Sequence, residues 1–168
     1  MNRLLVGGVG SSLLGCVLYV VGIATTAWLS EGHEGQKIDA GLWLTCLTQS
    51  GVTICSAYPG IGDLTGAFNA TRAFAVIGLL LLLLGTAVAC FAAKKNSNKL
   101  KIVGGALIVA AGICGVMAAA IYTGNSQTNT APGFSVPYGY SFYLTWVQAV
   151  FTVGGGAVII AAGRRGED

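Results

Sequence analysis

The chain alternates between long apolar runs and shorter polar segments. Residues 4–28, 73–93, 102–122 and 142–163 contain no Asp, Glu, Lys, Arg, His or Pro. The second run holds an unbroken stretch of leucines from Leu79 to Leu84. A bilayer core about 30 Å thick is crossed by about 20 apolar residues in a helix, so each run predicts a transmembrane helix. All three prolines, Pro59, Pro132 and Pro137, fall between the runs. The first run has an alternative reading as a cleavable signal, because Thr25-Thr26-Ala27 is small enough for processing. A signal core spans only about 7–15 residues, and the greater length of this run favours a retained helix. Between the first and second runs the pattern changes. Leu44-Thr45 and Val52-Thr53-Ile54 are β-prone and flank the turn-forming Gln49-Ser50-Gly51, which predicts a hairpin.

Composition excludes a water-soluble domain. Charged residues make up 9% of the 168, against roughly 25% in soluble proteins, and the mean hydropathy is +0.74. The 26 glycines suit membrane helices, where small residues let backbones approach. Arg3, Lys94, Lys95, Lys99, Lys101, Arg164 and Arg165 fall on one side of the predicted spans, and only Lys37 and Arg72 on the other. Basic residues favour the cytoplasmic side. Both termini are therefore expected in the cytoplasm, with loop 94–101 and tail 164–168, while loops 29–72 and 123–141 are expected outside. The net charge of +3 is then a topology signal, and no nucleic-acid partner is expected. The larger outer loop is mildly acidic: Glu31, Glu34, Asp39 and Asp63 outnumber Lys37 and Arg72.

Cys46 and Cys55 lie in that outer loop, where thiols are oxidised. A hairpin turning at Gln49-Ser50-Gly51 brings them within the roughly 5.5 Å Cα separation that a disulfide requires. Free thiols, or a zinc pair with His33, are the alternatives. Compartment and spacing favour the disulfide, since structural zinc sites take four ligands and close Cys spacing. A loop of about 40 residues builds too small a core to hold alone, so a stapled sheet resting on the helix ends is expected. Cys16, Cys90 and Cys114 fall in helices as apolar fillers, and Cys90, near the cytoplasmic end of the second span, is also a candidate for palmitoylation.

Trp28 and Trp43 suit the membrane–water boundary, greasy at the ring and wet at the N–H. Trp28 is expected to end the first helix there, and Trp43 either anchors at the interface or wedges the sheet onto the helix tops. Arg72, at the mouth of the second helix, either snorkels to headgroups or donates to loop carbonyls. Asn69-Ala70-Thr71 is a glycosylation sequon, expected to stay unmodified against the membrane. Gly7, Ser11 and Gly15 on the first helix, Ala111, Gly115 and Ala119 on the third, and Gly154 to Gly156 on the fourth are expected at helix contacts within the bundle, with lateral assembly as the alternative use. Phe134, Tyr138 and Tyr140 in the second outer loop are candidate contact anchors, or pack on the first loop.

Trp28, Gly41-Leu42-Trp43, Cys46 and Cys55 together resemble the W…GLW…C…C signature of the claudins. Variants of it occur in their relatives, the peripheral myelin protein, the epithelial membrane proteins, the lens fibre membrane protein and calcium-channel gamma subunits. Arg72 and Tyr58 resemble further positions of that pattern, KKNSNKLKIVGGALIVAAGICGV is similar to the claudin inner loop and third helix, and YLTWVQAVFTVGGGAVII to the fourth. NATRAF is closer to the lens protein. The resemblance implies one domain over residues 1–168: an integral membrane α-helical fold, a left-handed four-transmembrane-helix bundle carrying a small extracellular antiparallel β-sheet. It implies a plasma-membrane protein of cell–cell junctions. Such a protein assembles with itself or other claudin-like proteins, side by side and across cells, to form a paracellular barrier or pore. An accessory or adhesion tetraspan is the alternative. Glu31, Glu34, Asp39, Ser56 and Asp63 are the residues expected to face a pore, Ser56 standing where pore-forming claudins often carry a charge. Phe134, Tyr138 and Tyr140 are those expected to meet the opposite cell.

Two departures matter. The tail GRRGED does not end in the apolar residue that PDZ domains capture, so PDZ scaffolds are not expected partners, whereas membrane lipids are. With no charge inside the spans and no nucleophile–base set, neither a proton relay nor an enzyme is expected, and no cofactor or metal.

Overall fold

In the computed structural model, residues 3–33, 35–58, 64–128 and 136–165 are described. The elements in chain order are α1 (Arg3–Ala24), β1 (Leu29–His33), β2 (Gln36–Ala40), β3 (Leu44–Gln49), β4 (Val52–Ala57), α2 (Gly66–Lys95), α3 (Asn98–Thr128) and α4 (Tyr140–Arg164). All four helices are long and apolar enough to cross a bilayer. They alternate in direction and close a ring: α1 packs on α4, α4 on α3, α3 on α2, and α2 more lightly on α1. The strands form one antiparallel sheet in the order β1-β2-β3-β4, at the end of the bundle where α1 finishes and α2 begins. Seven of the nine basic residues sit at the opposite end.

The helices do not stop where their apolar runs stop. Thr65 caps α2, its hydroxyl accepting the Phe68 N–H, so the helix begins at Gly66, well before the run at 73. At its far end Asn96 adopts the left-handed conformation and donates its amide to the Ala92 carbonyl. Only Asn96 and Ser97 then separate α2 from α3, and most of the expected loop 94–101 is helical. Beyond residue 122, α3 continues on polar residues. Thr123 and Ser126 turn their hydroxyls back onto the carbonyls of Ala119 and Tyr122. Hydropathy marks where hydrocarbon could surround a helix, not where its hydrogen bonds end. Conversely α1 stops at Ala24, short of Trp28.

Small residues make the interhelical contacts, in a partly different register from the expected one. At the α3–α4 crossing Gly105 and Gly156 face each other, and a Cβ on either would stand 2.7 Å from the other's carbonyl oxygen. At α1–α4 the facing pair is Gly8 and Gly155. Gly7 and Gly154 have open space around them, because adjacent residues on a helix point about 100° apart. Ser11 does reach α4, donating to the Phe151 carbonyl, Gly15 packs against Thr152, and Ala111, Gly115 and Ala119 are buried. The lighter α1–α2 contact is bridged by the buried Tyr19 hydroxyl, which donates to the Ala75 carbonyl at 3.1 Å. Overpacking of this kind costs about 1–3 kcal/mol. Gly105→Ala should therefore lower the melting temperature of the purified protein in detergent, while Gly154→Ala should leave it unchanged; equal melting of the two variants would refute this account of the crossing.

Candidate functional site

The last carbonyls of an α-helix have no partner within it. At the end of α1 they find partners in the loop chain. Thr25 donates both its N–H and its hydroxyl to the Val21 carbonyl. The indole N–H of Trp28 donates to the Gly22 carbonyl, and that of Trp43 to the Ile23 carbonyl, each at 2.8 Å. Trp28 therefore lies past the helix end, and it is fully buried rather than anchored at the interface. Its ring meets Tyr122 and Phe142 edge-on, so it plugs the sheet-bearing end of the bundle.

Gly41, Leu42 and Trp43 each have a separate task at this joint. A Cβ on Gly41 would stand 2.7 Å from the Thr26 Cα, so only glycine lets the β2–β3 connection lie on the end of α1. Leu42 is buried in the core, and its carbonyl accepts the Arg72 Nε–H at 2.7 Å. The Arg72 guanidinium lies 5.3 Å from the Trp43 ring centroid, 5.3 Å from Tyr58 and 4.7 Å from Phe68. Of the two roles open to Arg72, the structure shows the clamp. Lysine has neither the Nε donor nor a planar face to stack. Arg72→Lys should therefore lose about 2 kcal/mol, read as earlier thermal unfolding by tryptophan emission; wild-type melting in that variant would refute the clamp.

The sheet has two unlike faces. Cys46 and Cys55 are directly paired across β3 and β4 and joined by a disulfide. Ser50 and Gly51 both take positive φ in the turn between those strands, as a two-residue hairpin requires. Paired residues point the same way, so the cystine shares its face with Ser30 and Asp39, with Lys37, and with the bonded hydroxyls of Thr48 and Thr53. The other face carries the cross-strand row Ile38–Leu47–Ile54, headed by Glu31. Val52 and Ser56 flank Ile54 on it. Ile54 is 66% exposed and Val52 62%. An antiparallel sheet commonly packs one face and wets the other; here β4 is exposed along its whole length on both faces, so the apolar row stands open as well. Chain termination of the sheet is also uneven. The start of β1 is covered by the second loop, with Ser30 donating to the Pro137 carbonyl and Leu29 bridged to Tyr138. No strand pairs with the outer edge of β4 among the described residues.

Several expected site residues therefore take other places. Asp39 faces away from the apolar row and forms an ion pair with Lys37 at 2.9 Å, while the Ser30 hydroxyl donates to it at 2.6 Å. Burial opposes its charge, but the bonds from Ser30 and Lys37 together hold its carboxyl below the ordinary range. Its contribution to stability is then present at neutral pH and lost as pH falls below about 4, the unfolded value. Melting temperature should drop more steeply over that acid interval in the wild type than in Asp39→Asn; parallel curves would count against it. Tyr138 stacks on Phe142 with centroids 4.2 Å apart and belongs to the joint, whereas Tyr140 is 59% exposed. Ser56 is exposed on β4 and Cys90 on α2. Asn69 lies inside α2, with Thr71 of its sequon buried and donating to the Ala67 carbonyl. Glu34, Asp63 and Phe134 lie outside the described residues. Phe68 was missed by sequence reasoning. It stands one turn before Arg72 on the same helix face, a spacing visible only once α2 is known to start at Gly66.

This geometry is that of a tetraspan bundle with a cystine-braced sheet docked by paired tryptophans. The sequence profile of the PMP-22/EMP/MP20/Claudin family matches residues 1–159, and the chain belongs to that family. It is similar to Claudin-7-A of Danio rerio, 25% identical over 92% of this chain and 83% of that protein. It is also similar to Claudin-18 of Bos taurus, at 26% over 91% and 70%, and to Claudin-1 of Rattus norvegicus, at 28% over 87% and 79%.

Proposed function

We propose that this protein assembles side by side in the plasma membrane at cell–cell junctions and pairs across cells, and that the resulting strand is a barrier rather than an ion pore. Copies of this chain, or other members of its family, are the partners. The single observation that carries the reading is the bare apolar row Ile38–Leu47–Ile54. Burying a side chain of this size is worth about 1.5–3 kcal/mol, and all three are exposed, Ile54 the most. A neighbouring sheet would cover them. Soluble single chains rarely leave such a patch open, and the family resemblance supplies the class of partner.

The same row favours a seal. A cation-selective path needs carboxylates along its wall. Of the described carboxylates only Glu31 stands on the face of the row, at its head; Asp39 lies on the opposite face and is neutralised by Lys37, and the site after the second cysteine is the uncharged Ser56. The concentration of basic residues at the end away from the sheet supports cytoplasmic termini and an outer sheet. Expression in cells that lack junction strands tests the proposal. Wild type should give continuous strands in freeze-fracture images and raise transepithelial resistance. Ile54→Asp should reach the surface with normal melting but form few strands, while Thr53→Asp, on the polar face, should still form them. Unimpaired strands in Ile54→Asp would overturn the role of the row. Diffuse wild-type staining with no strands would overturn junctional assembly and leave an accessory protein.

A further inference from the structure

We propose that the basic end of α4 is a binding site for an anionic glycerophospholipid, its headgroup held by Arg164 and Arg165 and its chain lying in the recess beside them. This inference is independent of the junctional reading. A shallow cavity of about 490 Å³ opens on the outer surface of the bundle there, lined by Ala157, Ile160, Ala161, Arg164 and Arg165. Ala157 and Ala161 stand one turn apart and are exposed, so the helix offers a low apolar floor where longer side chains would fill the space. Ile160, which also packs near Gly105 of α3, forms one wall. Both arginines are exposed at the rim.

Among the described residues the charge at this end is one-sided. The described carboxylates, Glu31 and Asp39, are both in the sheet at the far end of the molecule. Across the whole sequence seven basic residues belong to this end, against Glu167 and Asp168, which lie outside the described residues. Just behind the recess is a further positive charge. Lys101 is 5% exposed, and its ammonium donates to Asn96 Oδ1 and Asn98 Oδ1, each at 3.0 Å. Neutral amides solvate an ammonium without cancelling its charge. The Lys101 side chain also packs at Gly163, the residue before Arg164; a Cβ on Gly163 would stand 3.2 Å from its Cβ. Arg164 and Arg165 thus set two exposed positive charges at the rim of a hydrocarbon-facing cavity, and the buried Lys101 ammonium adds to the positive potential of this end of the bundle. Positive charge selects an anion. The apolar floor, continuous with the lipid-facing side of α4, selects an anion that carries an acyl chain over a free one.

The test uses the full chain, purified in mild detergent and mixed with equimolar phosphatidylserine and phosphatidylcholine, with retained lipid counted by native mass spectrometry. Wild type should retain phosphatidylserine over phosphatidylcholine by roughly tenfold, the scale set by two juxtamembrane arginines. Arg164→Gln/Arg165→Gln should fall to near parity with an unchanged melting temperature. Lys94→Gln/Lys95→Gln, at the end of α2, should keep the preference. Three outcomes would overturn the site. One is equal retention of both lipids by wild type. Another is loss of preference in the α2 variant as large as in the α4 variant, which would mean diffuse attraction. The third is full displacement of phosphatidylserine by millimolar inorganic phosphate, which would mean a site for the free anion with no use for the chain.

Discussion

The end of α1 is the point on which the architecture turns. A helix that finishes at a membrane boundary has carbonyls that hydrocarbon will not satisfy. Here two of them, on Gly22 and Ile23, receive indole N–H groups from Trp28 and Trp43. Those donors come from residues that flank the first two strands, so completing the helix and docking the sheet are one event. Arg72 adds the second helix to the joint through the Leu42 carbonyl. The sheet has little core of its own, and it inherits its position from groups whose first obligation is to the bundle.

The bundle beneath is held by close backbone approach more than by large interlocking side chains. Gly105 against Gly156 and Gly8 against Gly155 set the separations of α4 from its neighbours. Dispersion between closely packed backbones is the natural adhesive where lipid tails compete equally for apolar side chains. Such contacts make a firm platform, and the sheet above it can then expose an apolar row without losing its own place. Its structural needs are met on the polar face, by the cystine, the Lys37–Asp39 pair and the threonine pair.

Sequence made some of this legible and hid the rest for definite reasons. The four spans follow from hydropathy alone, and the stapled hairpin from two cysteines around a turn. The four-stranded extent of the sheet was not legible, because β1 and β2, LSEGH and QKIDA, are short, polar and of low strand propensity. They are strands because their neighbours pair with them. The helix ends were misplaced wherever polar residues continue a hydrogen-bonded turn. The amphipathic character of Trp28 fits a boundary equally well whether its N–H meets water or a helix carbonyl, so composition alone does not separate an anchor from a plug. A loop assignment carries no information about which face, or which neighbour, a side chain meets; it leaves Asp39 an exposed candidate and Tyr138 open between a contact anchor and packing on the first loop, and the bridge to Leu29 shows the latter. A four-residue spacing gives Gly7 a stripe without its azimuth, and the consecutive glycines 154–156 do not say which of the three meets a neighbour.

The two-residue turn between α2 and α3 has a consequence for how the chain crosses the membrane. A connector that short reaches at most about 7 Å, far less than a bilayer is thick. These two helices must therefore run antiparallel side by side, with the ends that meet at Asn96 and Ser97 on the same side of the membrane. The first helix is closed from farther along the chain: the indole N–H that meets the Ile23 carbonyl comes from Trp43, a sequence separation of 20.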